Sequence, residues 1–170
     1  ASVIVTKCPK ELKPMGFRVI TKAMDLFPYQ HLYFTTLSYD PLKPVFRNEA
    51  VIQDSLPLEQ LSDYHVLLVA GIASPRQMME DLSPYTSHLS LLTFPDHHNF
   101  RPKDIDRINA AFAALPRPAV VVTTEKDAVR LSETSGLSDE VRRNLCSLPV
   151  KIEFMLDQEE SFNQNIIGYD

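Results

Sequence analysis

A three-layer α/β fold is predicted for this chain of 170 residues: a Rossmann-like parallel sheet with helices on both faces, plus a two-stranded antiparallel linker. Three observations predict it. Short runs of continuous apolar residues alternate with segments of helical period, as expected of parallel strands buried on both faces. Several runs end in strand-to-helix turns that carry Gly, Pro, Thr or Lys, the residue types that shape an edge where ligands bind. One late segment instead alternates strictly, with Val150, Ile152 and Phe154 set against Lys151 and Glu153, the mark of a half-exposed antiparallel strand.

In chain order, Val3 to Thr6 is the first strand. Pro14 opens a helix that carries Phe17, Ile20 and Met24 at i, i+3 and i+7, and Pro28 stops it. His31 to Leu37 is rich in aromatic and β-branched residues and reads as an outgoing strand, with Val150 to Phe154 as its returning partner. Residues 41 to 57, with Pro41, Pro44 and Pro57, read as an irregular excursion. The compact body follows: strand Val66 to Ala70, helix Ser74 to Leu82, strand Leu89 to Phe94, helix Pro102 to Leu115, strand Ala119 to Thr123 and helix Glu125 to Leu131. Phe162, Ile166 and Tyr169 place a closing helix over Gln158 to Tyr169.

Composition bounds the function. Lys and Arg number 17 against 22 Asp and Glu, a net charge of -5, with 44% hydrophobic residues and no basic cluster. That excludes a dedicated nucleic-acid binder, which needs clustered basic charge to neutralise phosphates. The longest apolar stretch, Val66 to Ala73, falls far short of the roughly 20 residues that cross a bilayer. Cys8 and Cys146 have neither zinc spacing nor a disulfide pattern, so a reducing cytoplasm is expected. The chain opens directly on a strand without Met, as expected of a piece of a longer protein. Only four glycines occur (Gly16, Gly71, Gly136, Gly168), no two within 30 positions of each other, so neither GxGxxG nor GxxxxGK[ST] can be written. Any phosphate cradle must come from elsewhere, and the chain alone is expected neither to hydrolyse ATP nor to transfer phosphate from it.

Four turns carry candidate chemistry. Phe94-Pro95-Asp96-His97-His98-Asn99-Phe100 follows a central strand, and ligand crevices in open α/β sheets lie beyond the strands' carboxyl ends. Asp96 beside an imidazole can orient it or assist proton transfer; equally, Asp96 can accept backbone N–H bonds in a loop whose histidines are solvated. Adjacent His97 and His98 are expected to point apart. Thr124 and Asp127 have capping-box spacing, which implies nothing catalytic by itself. Lys126, a cation in a helix's first turn, opposes the helix dipole and is easier to explain beside an anion. Gly71 permits close backbone approach, with Ser74 as N-cap and Pro75 at N1, and the N–H groups there can receive an anion or a nucleotide edge; a lone glycine in such a turn is usually only a turn. Lys7, in Thr6-Lys7-Cys8-Pro9, lines an adjoining crevice or stands as an exposed loop lysine.

TKCP, GIASP, FPDHHNF and TTEKDAVRL, in this order and spacing, resemble the carboxyl-terminal half of the tetraacyldisaccharide 4'-kinase family of lipid A biosynthesis; GIASP departs slightly from the commoner GIGNP-like form. The resemblance implies transfer of the γ-phosphate of MgATP to the 4'-hydroxyl of a tetraacylated glucosamine disaccharide 1-phosphate. The lipid A disaccharide precursor and ATP are then the partners, at the cytoplasmic face of the inner membrane of a Gram-negative bacterium, with peripheral attachment to that membrane surface. ATP and Mg would be bound mainly by residues outside this chain. The family's Asp-His pair falls on Asp96 and His97, the catalytic candidates, and His98 is expected to be dispensable. Gly71, Thr124, Glu125, Lys126, Asp127 and Lys7 are the nucleotide-side or interdomain candidates, and no metal ligand is assigned.

The resemblance also implies a division of the chain. Residues 1–28 are assigned to a terminal strand and helix of an upstream P-loop kinase core, 29–57 to the linker strand and excursion, 58–148 to the carboxyl-terminal α/β domain, and 149–170 to the returning strand and closing helix. The linker is expected to act as the hinge of a lid that closes over the nucleotide. Two rival readings stand beside the kinase. One is a DHH-type manganese-dependent phosphoesterase, whose further aspartates and glycine-rich motif are not visible. The other is a non-enzymatic α/β ligand-binding module, favoured by the missing phosphate loop.

Overall fold

The computed structural model describes residues 1–72, 75–96 and 98–168, and the chain divides into two compact units: Ala1–Tyr39 with Val150 onward, and Asp40–Pro149.

The first unit holds strands β1 (Ser2–Val5) and β2 (His31–Tyr39), helix α1 (Pro14–Met24), and, from the end of the chain, strand β8 (Val150–Phe154) and helix α6 (Glu159–Ile167). Its sheet order is β1-β2-β8. The nine-residue β2 serves two partners in turn: Ser2 to Val5 pair parallel with His31 to Phe34, and Thr35 to Tyr39 pair antiparallel with Phe154 to Val150. So the outgoing and returning strands do pair antiparallel, outside the main sheet. Where β8 stops, the Gln158 side chain continues its role, accepting from the Phe34 amide at 2.9 Å and donating to the Leu32 carbonyl at 3.1 Å. Phe17 of α1 meets Phe34 edge-on, and Phe162 of α6 meets Tyr33 likewise.

The second unit is a five-stranded sheet of order β3-β7-β6-β4-β5. Strands β4 (His65–Ala70), β5 (Leu89–Thr93), β6 (Ala119–Thr124) and β7 (Leu145–Leu148) run parallel, while the two-residue β3 (Lys43–Pro44) caps one edge antiparallel to β7. Residues 41 to 57, expected as an excursion beside the outgoing strand, thus supply an edge of the main sheet. Helices α2 (Pro75–Leu82), α3 (Pro102–Ala113), α4 (Glu125–Ser132) and α5 (Asp139–Asn144) follow the strands, and a 3-10 helix spans Leu58–Asp63.

Both faces of the sheet are buried. Leu67, Val69, Val121 and Leu145 form one core with Ile105, Ile108 and Phe112 of α3, Leu131 of α4 and Val141 of α5. The alternate residues Val66, Leu68, Val120 and Val122 are as fully buried and point to the other face, to which α2 brings Met78 and Leu82 and the 3-10 helix Leu58 and Leu61. Each wholly buried large side chain, such as Ile108 or Phe112, contributes about 2–3 kcal/mol. That core holds rigid the strand ends on which the candidate residues sit.

Candidate functional site

The parallel register aligns three strand ends at one edge: Ala70 pairs with Thr93, and Val69 with Thr123. From β4 the chain steps sideways to β5, then returns to place β6 on β4's other flank. The direction of winding therefore reverses between β4 and β6, and the carboxyl ends of strands beside such a reversal form the crevice typical of open α/β sheets. The turns at Gly71, Pro95-Asp96 and Thr124 meet there, as their strand-end positions predicted.

One buried carboxylate dominates this edge. Asp127, wholly buried at the third position of α4, accepts the Gly71 amide at 2.8 Å and the Thr124 hydroxyl at 3.1 Å on the same oxygen, Oδ2. Its other oxygen faces Arg130 Nη1 at 3.4 Å. Thr124 is also the N-cap, accepting from the Asp127 amide at 3.1 Å, so half of the capping box spaced in the sequence forms, while the Asp127 side chain turns to the Thr124 hydroxyl and, beyond its own helix, to the Gly71 amide. The Gly71 N–H, expected as a receiver for an anion or nucleotide edge, already holds an anion of the chain itself. A Cβ on Gly71 would stand 3.3 Å from Asp127 Oδ1 and 3.4 Å from the Pro95 carbonyl oxygen, a tight fit that the buried Asp127 carboxylate would have to relieve by a few tenths of an ångström.

Of the catalytic pair, His97 lies outside the described residues, as does the expected N-cap Ser74. Asp96 is half-exposed, and its Oδ1 lies 4.0 Å from Lys126 Nζ. The anionic partner that the lysine's position in α4 called for is thus the candidate carboxylate on the neighbouring turn. Glu125 is exposed in the same first turn, where negative charge suits the helix dipole. Lys7, in the other unit, is exposed with a left-handed backbone (φ 57°). Its turn is tied down by the Cys8 amide on the Thr35 carbonyl at 2.9 Å and the Thr36 hydroxyl on the Cys8 carbonyl at 2.7 Å.

His98, expected to be dispensable for the chemistry, is nonetheless well anchored. It is held on three sides: Nε2 lies 2.7 Å from Asp104 Oδ2, the ring stacks on Phe94, and it meets Phe100 edge-on. Asp104 occupies the third position of α3 and accepts the Arg101 amide at 2.9 Å. That amide, then the imidazole, hold its carboxyl below the ordinary carboxylate range. Sequence reasoning passed over Asp104, although Pro102 at N1 with an acid two residues later is a helix-start pattern.

Both cysteines are buried, and burial pushes the Cys146 thiol up to about 12, so it supplies no thiolate at neutral pH. Among the described residues no three His, Cys, Asp or Glu side chains gather as a metal-binding group, and no helix is long and apolar enough to cross a membrane. Chemically, the edge offers a half-exposed carboxylate beside a lysine, on turns braced by two buried or nearly buried carboxylates.

Comparison with known proteins follows the geometry closely. The family model for tetraacyldisaccharide-1-P 4'-kinase matches residues 20–168. The chain is 44% identical over 169 residues to a tetraacyldisaccharide 4'-kinase of Phocaeicola vulgatus and 45% identical over 172 residues to one of Bacteroides thetaiotaomicron. In both cases 98% of this chain aligns with 45% of the relative; the chain spans a little under half the length of these curated relatives. Among solved structures it is similar to LpxK from Aquifex aeolicus, crystallised in complex with ATP, with a TM-score of 0.53 at 14% identity, over 98% of this chain and 51% of that one. That likeness establishes a shared fold.

Proposed function

The chain belongs to the tetraacyldisaccharide-1-P 4'-kinase family, and on that premise we propose that it is the carboxyl-terminal part of an ATP-dependent lipid kinase. The whole enzyme phosphorylates the 4'-hydroxyl of tetraacyldisaccharide 1-phosphate, as a peripheral protein at the cytoplasmic face of the inner membrane in a Gram-negative bacterium. The observation that carries this reading is the family match across residues 20–168, and the half-exposed carboxylate of Asp96 at the strand-end crevice supports it.

The residues of this chain do not by themselves make a cradle for MgATP. Its glycines are too far apart for a phosphate loop, and the Gly71 amide is engaged by Asp127. ATP and Mg would be held mainly by the other half of the full-length protein. Phosphoryl transfer relies on positioning and charge neutralisation. This chain's share is to present Asp96 and His97 toward the acceptor hydroxyl and, with Lys126 beside Asp96, to tune the proton transfer that accompanies attack. Lys7 and Glu125 face the nucleotide or the other half of the protein. In the same reading residues 1–28 complete the kinase core, β2 and β8 form the linker, and residues 58–148 close over the nucleotide as a lid.

Incubating the full-length protein with MgATP and tetraacyldisaccharide 1-phosphate should give the 4'-phosphorylated product by mass spectrometry. The 170-residue chain alone should give none. Absence of product from the full-length protein overturns the kinase, and manganese-dependent release of phosphate from a phosphoester substrate would favour the phosphoesterase instead.

A further inference from the structure

We infer that His98, acting through Asp104, is a positioning residue for the turn that carries Asp96. The kinetic part of this inference rests on the proposed kinase reading; the bracing itself does not. In the turn leaving β5, Asp96 has 43% of its side chain in solvent. What fixes such a turn must lie on either side of it.

On one side stands His98. Its amide donates to the Pro95 carbonyl at 3.2 Å, closing the turn. Its ring lies 5.4 Å from Phe94 at an interplanar angle of 17°, and Phe94 is itself buried in the core beneath. Phe100 closes the ring's edge at 5.7 Å and 89°, and only 18% of the His98 side chain is exposed. Asp104 Oδ2 then joins two tasks in one atom, accepting the Arg101 amide that starts α3 and engaging His98 Nε2 at 2.7 Å. The turn is thereby tied to the start of α3.

On the other side, Asp96 meets Lys126 in the first turn of α4, and α4 is fixed by the buried Asp127. An ion pair this exposed is a weak tether, screened by solvent and salt. The stronger anchor is the buried one. Removing it takes the buried anchor from the backbone around Asp96, and a displacement of about 1 Å at a reacting centre is enough to cost on the order of 10²-fold in rate.

The test uses the full-length protein and four variants: His98→Ala, His98→Gln, Asp104→Asn and, as a stability control one helical turn further along α3, Ile108→Val. Gln carries an amide donor at the same reach as Nε2. In hydrogen–deuterium exchange, His98→Ala and Asp104→Asn should speed amide exchange in residues 94–101, while His98→Gln and Ile108→Val leave that segment close to the parent. In steady-state kinetics well below the thermal midpoint, His98→Ala should lower kcat at least about 10-fold with the KM for ATP within about twofold, and His98→Gln should recover most of the loss. Ile108→Val should lower the midpoint without lowering kcat. Unchanged exchange in His98→Ala overturns the brace. Faster exchange with unchanged kcat, or a kcat loss that Ile108→Val reproduces, overturns the positioning role and leaves His98 a packing residue. A parent protein without kinase activity refutes the functional reading instead, and the exchange comparison still decides the brace.

Discussion

Helices α3 and α4 begin alike and are anchored differently. Each has an aspartate at its third position, Asp104 and Asp127, nearly or wholly buried, and each carboxylate uses one oxygen for two partners. In α4 the partners are the helix's own N-cap hydroxyl and, 56 residues back along the chain, the Gly71 amide. In α3 they are the N-cap amide and, six residues back, the His98 ring. The difference decides what each carboxylate holds. Asp127 joins two strand-end turns across the crevice between β4 and β6, whereas Asp104 secures the single turn before its own helix. A helix-capping carboxylate is therefore a local device that also bears tertiary structure wherever a second donor reaches it.

The largest expected effect lies at α4. Asp127→Ala strands the buried Gly71 amide and removes the partner of Arg130, and it should lower the unfolding free energy by about 3 kcal/mol, read as a fall in the urea midpoint at unchanged slope. Asp127→Asn, which keeps one acceptor, should fall between that variant and the parent. A loss from Asp127→Ala below about 1 kcal/mol would make the cross-crevice bond incidental and the two helix starts equivalent.

At α3 the effect is smaller and tied to acid. Asp104 has a folded pKa held below its ordinary value of 3.8, first by the Arg101 amide and then by His98. Folding thus favours its ionised form, so this contribution is complete above that ordinary value and is lost as pH falls through the lowered one. Urea titrations from pH 5 downward should show the parent losing its advantage over Asp104→Asn, with the two converging in strong acid. Curves that stay parallel would mean that the carboxylate's charge does not matter there.

The smallest change is expected at Lys126. Its pair with Asp96 spans 4.0 Å with both side chains nearly half exposed, so Lys126→Ala should alter stability by less than about 0.5 kcal/mol. Its consequence should appear in turnover of the full-length enzyme. A stability loss as large as that from Asp127→Ala would place Lys126 among the anchors.

These contrasts follow what a sequence can carry. Strands β4, β5 and β6 were legible as short, mostly apolar runs, although β5, expected to be central, forms an edge of the sheet; the β2–β8 pair was legible from alternation, although Val150 and Ile152, expected on a buried face, are exposed. Strand β7, Leu-Cys-Ser-Leu, was not: four residues carry too little periodicity, and pairing with β6 decides it. Lys126 pointed to its anion through the helix dipole, and Thr124 to Asp127 through spacing. The Gly71–Asp127 bond was hidden because it joins residues 56 apart, and the contacts of His98 with Phe94 and Phe100 were hidden because they arise only in the folded turn. Local rules found the cap at Thr124; the contacts that make it matter are tertiary.

The most direct test of the proposed function is the kcat of His97→Ala in the full-length protein, measured with saturating MgATP and tetraacyldisaccharide 1-phosphate. A fall of about 10²-fold or more, the usual scale of acid–base assistance, with the KM for ATP and the thermal midpoint unchanged, is the predicted result. A fall of only a few-fold, or one accounted for by unfolding, would contradict it and remove the Asp96-His97 turn from the chemistry.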